Sequence, residues 1–140
     1  MVAAVIRKEA AEPSRKLSGG ELSGPALRTF FRIADAWKLS PNEARRILGD
    51  PPRSTFFLWK RAREGQLSRD ALERVSYVLG IYKALQILLP DKDAADTWIR
   101  RPNSAPLFGG GPALDRMLSG NVADLYVVRQ YLDAQRGGWS

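Results

Sequence analysis

The chain has 140 residues, 44% apolar and 26% charged: enough for one compact domain or two small ones sharing a core, and too apolar for wholesale disorder. It contains no histidine and no cysteine, which removes the commonest general base, the most reactive nucleophile, any disulfide framework and the nitrogen and sulfur ligands of zinc. The net charge of +7 is unevenly placed, since residues 1–65 hold 13 of the 22 Lys and Arg but only 7 of the 15 Asp and Glu. A basic amino-terminal half suits a polyanion, and a nearly neutral remainder suits a protein partner.

The carboxylates sit on polar helix faces beside basic neighbours, where solvated charge normally lies. Binding is therefore expected rather than catalysis, with no catalytic residue, no metal and no cofactor. No apolar run approaches the roughly 20 residues that cross a bilayer. The apolar stretch Met1–Ile6 is too short for a signal-peptide core, so a cytoplasmic address and no membrane contact are expected.

Residues 1–24 read as a flexible tail, interrupted by Pro13, Ser18-Gly19-Gly20 and Gly24, with at most a marginal helix over Val2–Glu12. Pro25 opens a first helix to about Lys38, with Leu27, Phe30, Phe31, Ala34 and Trp37 at three- and four-residue spacing. Ser40 as N-cap, Pro41 at the first helical position and Glu43 at the third start a second helix, Pro41–Leu48, which Gly49 ends. Asp50-Pro51-Pro52 makes a turn, and a third helix runs from about Arg53 to Glu64, closed by Gly65.

Ser68 caps a long fourth helix, Arg69–Leu89, whose apolar face includes Leu72, Val75, Leu79, Tyr82 and Leu85. Gly80 within it marks close packing rather than a hinge. Pro90 stops this helix, a fifth covers about Asp93–Arg100, and Pro102-Asn103 breaks that one. The run Gly109-Gly110-Gly111-Pro112 introduces a short sixth helix carrying Leu114, Met117 and Leu118, closed by Gly120. Asn121 caps a seventh helix to about Gln135, with Asp124 in its first turn. Nothing alternates with a period of two, so the fold expected is all-α.

The second and third helices have the proportions of a helix-turn-helix, in which a small second helix enters the major groove. Phe56, Trp59 and Ala62 form the expected buried side. Arg53, Ser54, Thr55, Phe57, Lys60 and Arg61 form the outer face, a mixture suited to phosphates and base edges. Arg45 and Arg46 before it, with Arg63 and Arg69 after, extend a cationic rim. The competing reading is a helical bundle with a solvated basic face, and the succession Phe56-Phe57-Leu58 leaves the rotation of the helix open. The triple glycine lacks the downstream Lys-Ser/Thr of a phosphate-binding P-loop and follows no strand, so a loop before a helix explains it better.

The segment Leu107-Phe108-Gly109-Gly110-Gly111-Pro112-Ala113-Leu114-Asp115-Arg116-Met117, then Gly120, then Asp124-Leu125-Tyr126-Val127-Val128-Arg129-Gln130-Tyr131-Leu132, resembles the carboxy-terminal domain of Xre/MbcA/ParS-type antitoxins. Trp59-Lys60, Leu67-Ser68, Leu72-Glu73-Arg74, Gly80-Ile81-Tyr82-Lys83-Ala84-Leu85 and Trp98-Ile99 agree, and the resemblance runs from about Ala26 to Trp139.

That resemblance implies an amino-terminal Xre/Cro-like helix-turn-helix bundle over 25–89 sharing its long helix with a toxin-binding domain over 90–140. It implies an antitoxin of a type II toxin–antitoxin pair that obstructs the active-site cleft of a RES-domain, NAD-depleting toxin. It further implies binding to the promoter DNA of its own operon, as a homodimer and within a higher-order toxin–antitoxin complex. NAD would then be the toxin's substrate. The toxin-facing candidates are Phe108, Gly109, Gly110, Asp115, Arg116, Arg129, Arg136 and Trp139. Trp139 follows two glycines, and two uses stay open for it: cover over its own helices, or an anchor in a partner's pocket. The alternative function is a stand-alone helix-turn-helix repressor whose carboxy-terminal half serves dimerisation.

Overall fold

A computed structural model describes residues 19–137. These form seven α-helices: α1 (Gly19–Ala36), α2 (Pro41–Ile47), α3 (Arg53–Ala62), α4 (Arg69–Leu88), α5 (Lys92–Thr97), α6 (Ala113–Met117) and α7 (Val122–Gly137). A 3-10 turn, Trp98–Arg100, continues α5, and a second, Pro106–Phe108, precedes α6. Among the described residues there is no strand, only an isolated antiparallel bridge between Pro102 and Pro112.

The fold is built around α4, which packs against α1 in the amino-terminal half and against α7 in the carboxy-terminal half. Ala71, Val75, Val78, Ile81, Ala84 and Leu85 are buried along it, whereas Leu72, Leu79 and Tyr82 of the expected stripe are only half-buried. A helix covered by neighbours on two sides buries more than one stripe, and small residues at Ala71 and Ala84 let those neighbours approach. One apolar cluster therefore runs from Leu27 and Phe30 of α1 and Trp37 just after it, through Ile81 and Leu85, to Leu125, Val128 and Leu132 of α7. Gly80 belongs to this packing, because a Cβ there would come within 2.5 Å of Arg129 Nε, which crosses it from α7.

Several boundaries differ from the sequence expectation, each for a physical reason. The first helix begins at Gly19 and not at Pro25, so residues 19–24 belong to the fold and not to a tail. Ser23 is fully buried, and its Oγ accepts the Leu67 N–H at 2.9 Å from a residue 44 positions away. That tie holds the turn ahead of Pro25, whose missing N–H costs one helical hydrogen bond. The same helix stops at Ala36, and Lys38 takes a left-handed conformation at φ 55°. Asp91 caps the fifth helix, its carboxylate accepting the Ala94 N–H at 2.9 Å, and the seventh helix continues to Gly137. Caps at Ser40 and Ser68 stand where expected: the Ser40 and Glu43 side chains satisfy each other's backbone N–H, and Ser68 Oγ accepts from Ala71.

Because α7 buries Leu125, Val128 and Leu132 in a cluster to which α4 contributes, a fragment of residues 91–140 lacks its own core. We expect that fragment to show no cooperative thermal transition by far-UV circular dichroism while the full chain melts in one step. A fragment that folds alone would show that α5–α7 are self-sufficient.

Candidate nucleic-acid and partner interfaces

The rotation of α3 is set by two aromatic anchors. Phe56 and Trp59 are buried, and the Phe56 ring meets Phe31 of α1 at 5.6 Å between centroids. This leaves Arg53, Ser54, Phe57, Leu58, Lys60 and Arg61 exposed and Thr55 half-buried. Ala62 is exposed, contrary to expectation. The helix ends there, Arg63 turns left-handed at φ 56°, and Gly65 passes against Trp59 so closely that a Cβ would lie 2.4 Å from the indole.

At the other end, α3 begins after Pro52 with no side-chain cap and no acidic residue in its first turn. Its unsatisfied N–H groups and positive dipole end therefore face outward beside Arg53 and Ser54, an arrangement that suits a phosphate. The Arg53 guanidinium donates to Asn42 Oδ1 at 3.1 Å and lies 5.6 Å from the centre of the Phe57 ring.

The expected cationic rim is largely turned onto the chain itself. Arg45 donates to Pro51 O at 2.9 Å, and its Nε is buried with no partner among the described residues. Arg46 donates from Nε to Leu118 O at 3.0 Å and from Nη2 to Ser119 O at 2.8 Å, and its remaining Nη1 pairs with Asp50. Arg63 lies 5.0 Å above the Phe31 ring and donates to Lys60 O. Arg45, Arg46 and Arg63 thus brace the fold, Arg46 while still exposed along part of its side chain, and Arg69 at the start of α4 is exposed as well. For Arg46 and Arg63 the reason is the hydrogen-bond demand at the carboxy-terminal ends of helices, whose last carbonyls lack intrahelical donors, while Arg45 ties the turn ahead of α3.

Two further arginines, not singled out in the sequence, complete this pattern. Arg74 is buried in α4, pairs with Asp70 at 2.8 Å and donates to Gly120 O at 2.9 Å. Arg100 donates to Trp37 O at 3.0 Å and Lys38 O at 2.7 Å, closing the end of α1 from the carboxy-terminal half. Gly120 is required at this junction: its φ is +92°, and a Cβ would approach Arg46 Cζ to 2.8 Å.

The toxin-facing candidates fall into two groups. Phe108 is half-buried in an aromatic box, with ring centroids 5.9 Å from Trp98 and 5.3 Å from Tyr131. Gly109 and Gly110 follow at φ 58° and 86° with open space around them, so their backbone stays exposed beside the box. Asp115 is exposed next to this loop. Arg116 is committed internally, donating to Asp124 Oδ1 and to Leu107 O, both at 2.9 Å. The second group lies along α7. Arg129 packs over Gly80 and pairs with Asp133 at 3.6 Å, and Arg136 reaches the same carboxylate at 3.9 Å. They flank an open groove shared with Ile87, Leu88 and Pro90 at the end of α4. Trp139 lies outside the described residues. The box partners Trp98 and Tyr131 stand in the sequence only within the segments that carry the family resemblance.

Asp124 ties the α6–α7 turn. The Ser119 hydroxyl donates to it at 2.6 Å, which together with the Arg116 charge holds its carboxyl below the ordinary value against the opposing effect of burial. A carboxylate with a lowered folded-state pKa adds stability above its unfolded value and loses it as pH falls through the folded one. Asp124→Asn should therefore be less stable than the parent at pH 7, and the gap should narrow below about pH 4 in urea titrations. Equal gaps at both pH values would contradict this role. Arg46→Ala should lower stability by about 1–2 kcal/mol while leaving the salt dependence of any nucleic-acid binding unchanged. A shallower salt slope would return Arg46 to the phosphate contacts.

The comparisons agree with both ends of this geometry. Residues 17–80 match the antitoxin Xre-like helix-turn-helix domain, and residues 84–138 match the antitoxin Xre/MbcA/ParS C-terminal toxin-binding domain. The protein y4oB of Sinorhizobium fredii (strain NBRC 101917 / NGR234) is 57% identical over 112 residues, spanning 80% of this chain and 84% of that protein. The two domain matches meet inside α4, between residues 80 and 84. The chain belongs to the Xre-type antitoxins, with a DNA-binding helix-turn-helix domain joined through one continuous helix to a toxin-binding domain.

Proposed function

We propose that this antitoxin covers the active-site cleft of a RES-type, NAD-depleting toxin with its carboxy-terminal half and represses its own operon through α3. The observation that carries the DNA reading is the face of α3. Two buried aromatics anchor one side, while Arg53, Ser54, Lys60 and Arg61 project from the other beside an uncapped helix start. Two copies related by a dyad would place two such helices on successive half-sites, the usual arrangement for this motif. On the toxin side, the reading is supported by the exposed Gly109–Gly110 backbone beside the half-buried Phe108 and by the groove lined by Arg129 and Arg136. Inhibition is steric in this account. NAD is the toxin's substrate, and this chain takes no cofactor.

Two measurements separate this from a repressor that lacks a toxin. If a RES-domain toxin is encoded beside its gene, co-expression of the two should restore cellular NAD; no such toxin, or unchanged depletion, would leave only the repressor, with the carboxy-terminal half serving dimerisation. Promoter binding should fall steeply with salt, and Lys60→Ala with Arg61→Ala should reduce the logarithmic salt slope by about 2 without impairing NAD rescue. An unaltered slope would remove these residues from the phosphate contacts.

A further inference from the structure

Among the described residues four large hydrophobic side chains stand exposed, and two of them, Phe57 at 37% and Leu58 at 50%, are neighbours on α3. They lie in the middle of its outer face, with Arg53 and Ser54 on the preceding turn and Lys60 and Arg61 on the following one. The phenyl ring is held in place, edge-on to Phe56 at 5.2 Å and under the Arg53 guanidinium. A fixed apolar strip framed by cations needs a partner that is anionic at its margins and apolar at one point in the middle.

The major groove of B-DNA has that layout. Phosphates line its edges, and the apolar group it presents on an unmodified base pair is the thymine C5 methyl. Resting on the reading of α3 as the groove-entering helix, we infer that Phe57 and Leu58 pack on thymine methyl groups and so make operator choice depend on thymine facing the centre of this helix. Arg53, Lys60 and Arg61 would set the position on the backbone, while the apolar pair selects the base. Neither side chain offers a hydrogen bond, so this discrimination is blind to a base's donors and acceptors and responds to the methyl alone.

The test uses the full chain and duplexes selected from a random library. Each thymine of the selected site is replaced in turn by deoxyuridine, which removes the methyl and keeps every hydrogen-bonding group. Fluorescence anisotropy should show at least one such replacement weakening wild-type binding by about fourfold or more, the effect of one buried methyl-sized group. The variant carrying Phe57→Ala and Leu58→Ala, shown folded by circular dichroism, should bind thymine and uracil duplexes alike and retain the parent salt slope. Wild-type affinity indifferent to every uracil, with sequence-selective and salt-dependent binding intact, would overturn this inference and leave the DNA reading standing. A double variant that kept the thymine preference would also overturn it, moving the methyl contact to other residues. Failure to select any duplex would overturn both readings.

Discussion

Helix α4 spans twenty residues, and the rest of the molecule is placed by what packs on its two sides. The amino-terminal half lays α1 along it, the carboxy-terminal half lays α7 along it, and the apolar cluster passes through without a break. Domain names divide this chain near residues 80–84, but that point falls in the interior of a helix, where no boundary in packing exists. Arginine side chains reinforce the same constraint. Arg46, Arg74 and Arg100 each donate to backbone carbonyls of the opposite half, at separations of 46 to 73 residues. A guanidinium presents several donors in a fixed plane, so one side chain can satisfy two carbonyls of a helix end and hold that end in position.

Basic composition alone is therefore a poor guide to what binds a polyanion here. Of the cations in the helix-turn-helix region, some hold the fold together and some remain in solvent, and hydrogen-bond demand decides which. Arg45 and Arg46 come from a helix whose neighbours present unsatisfied carbonyls, and they are used there. Lys60 and Arg61 come from the outer side of α3 and stay exposed. The same sorting applies in the toxin-binding half, where Arg116 ties Asp124 to the Leu107 carbonyl while the neighbouring glycine backbone is left open.

Local chemistry was legible in the sequence, and long-range geometry was not. The capping box at Ser40 and Glu43, the cap at Ser68 and the close packing at Gly80 follow from rules that act within a turn or at a single small residue, and the structure carries each of them. The start of α1 ahead of Pro25 carries no local signal, because the bond that secures the earlier turn, Leu67 N–H to Ser23 Oγ, joins residues far apart in the chain. The rotation of α3 was ambiguous among Phe56, Phe57 and Leu58 until Phe31 identified Phe56 as the buried one. The destinations of Arg46, Arg74 and Arg100 carry no local signal, since the acceptors are peptide carbonyls that every residue possesses. The box around Phe108 is likewise hidden, because its members come from two separate 3-10 turns and a helix.

The central claim is that the DNA-reading helices and the toxin-binding helices form one cooperative body joined by α4 and its arginine ties. Residue-resolved urea unfolding of the full chain, followed by nuclear magnetic resonance at the amides of Ile47 in α2 and Leu125 in α7, tests it most directly. The account predicts coincident midpoints at the two sites. A separate, earlier transition at either amide would contradict it and show two independently folding halves.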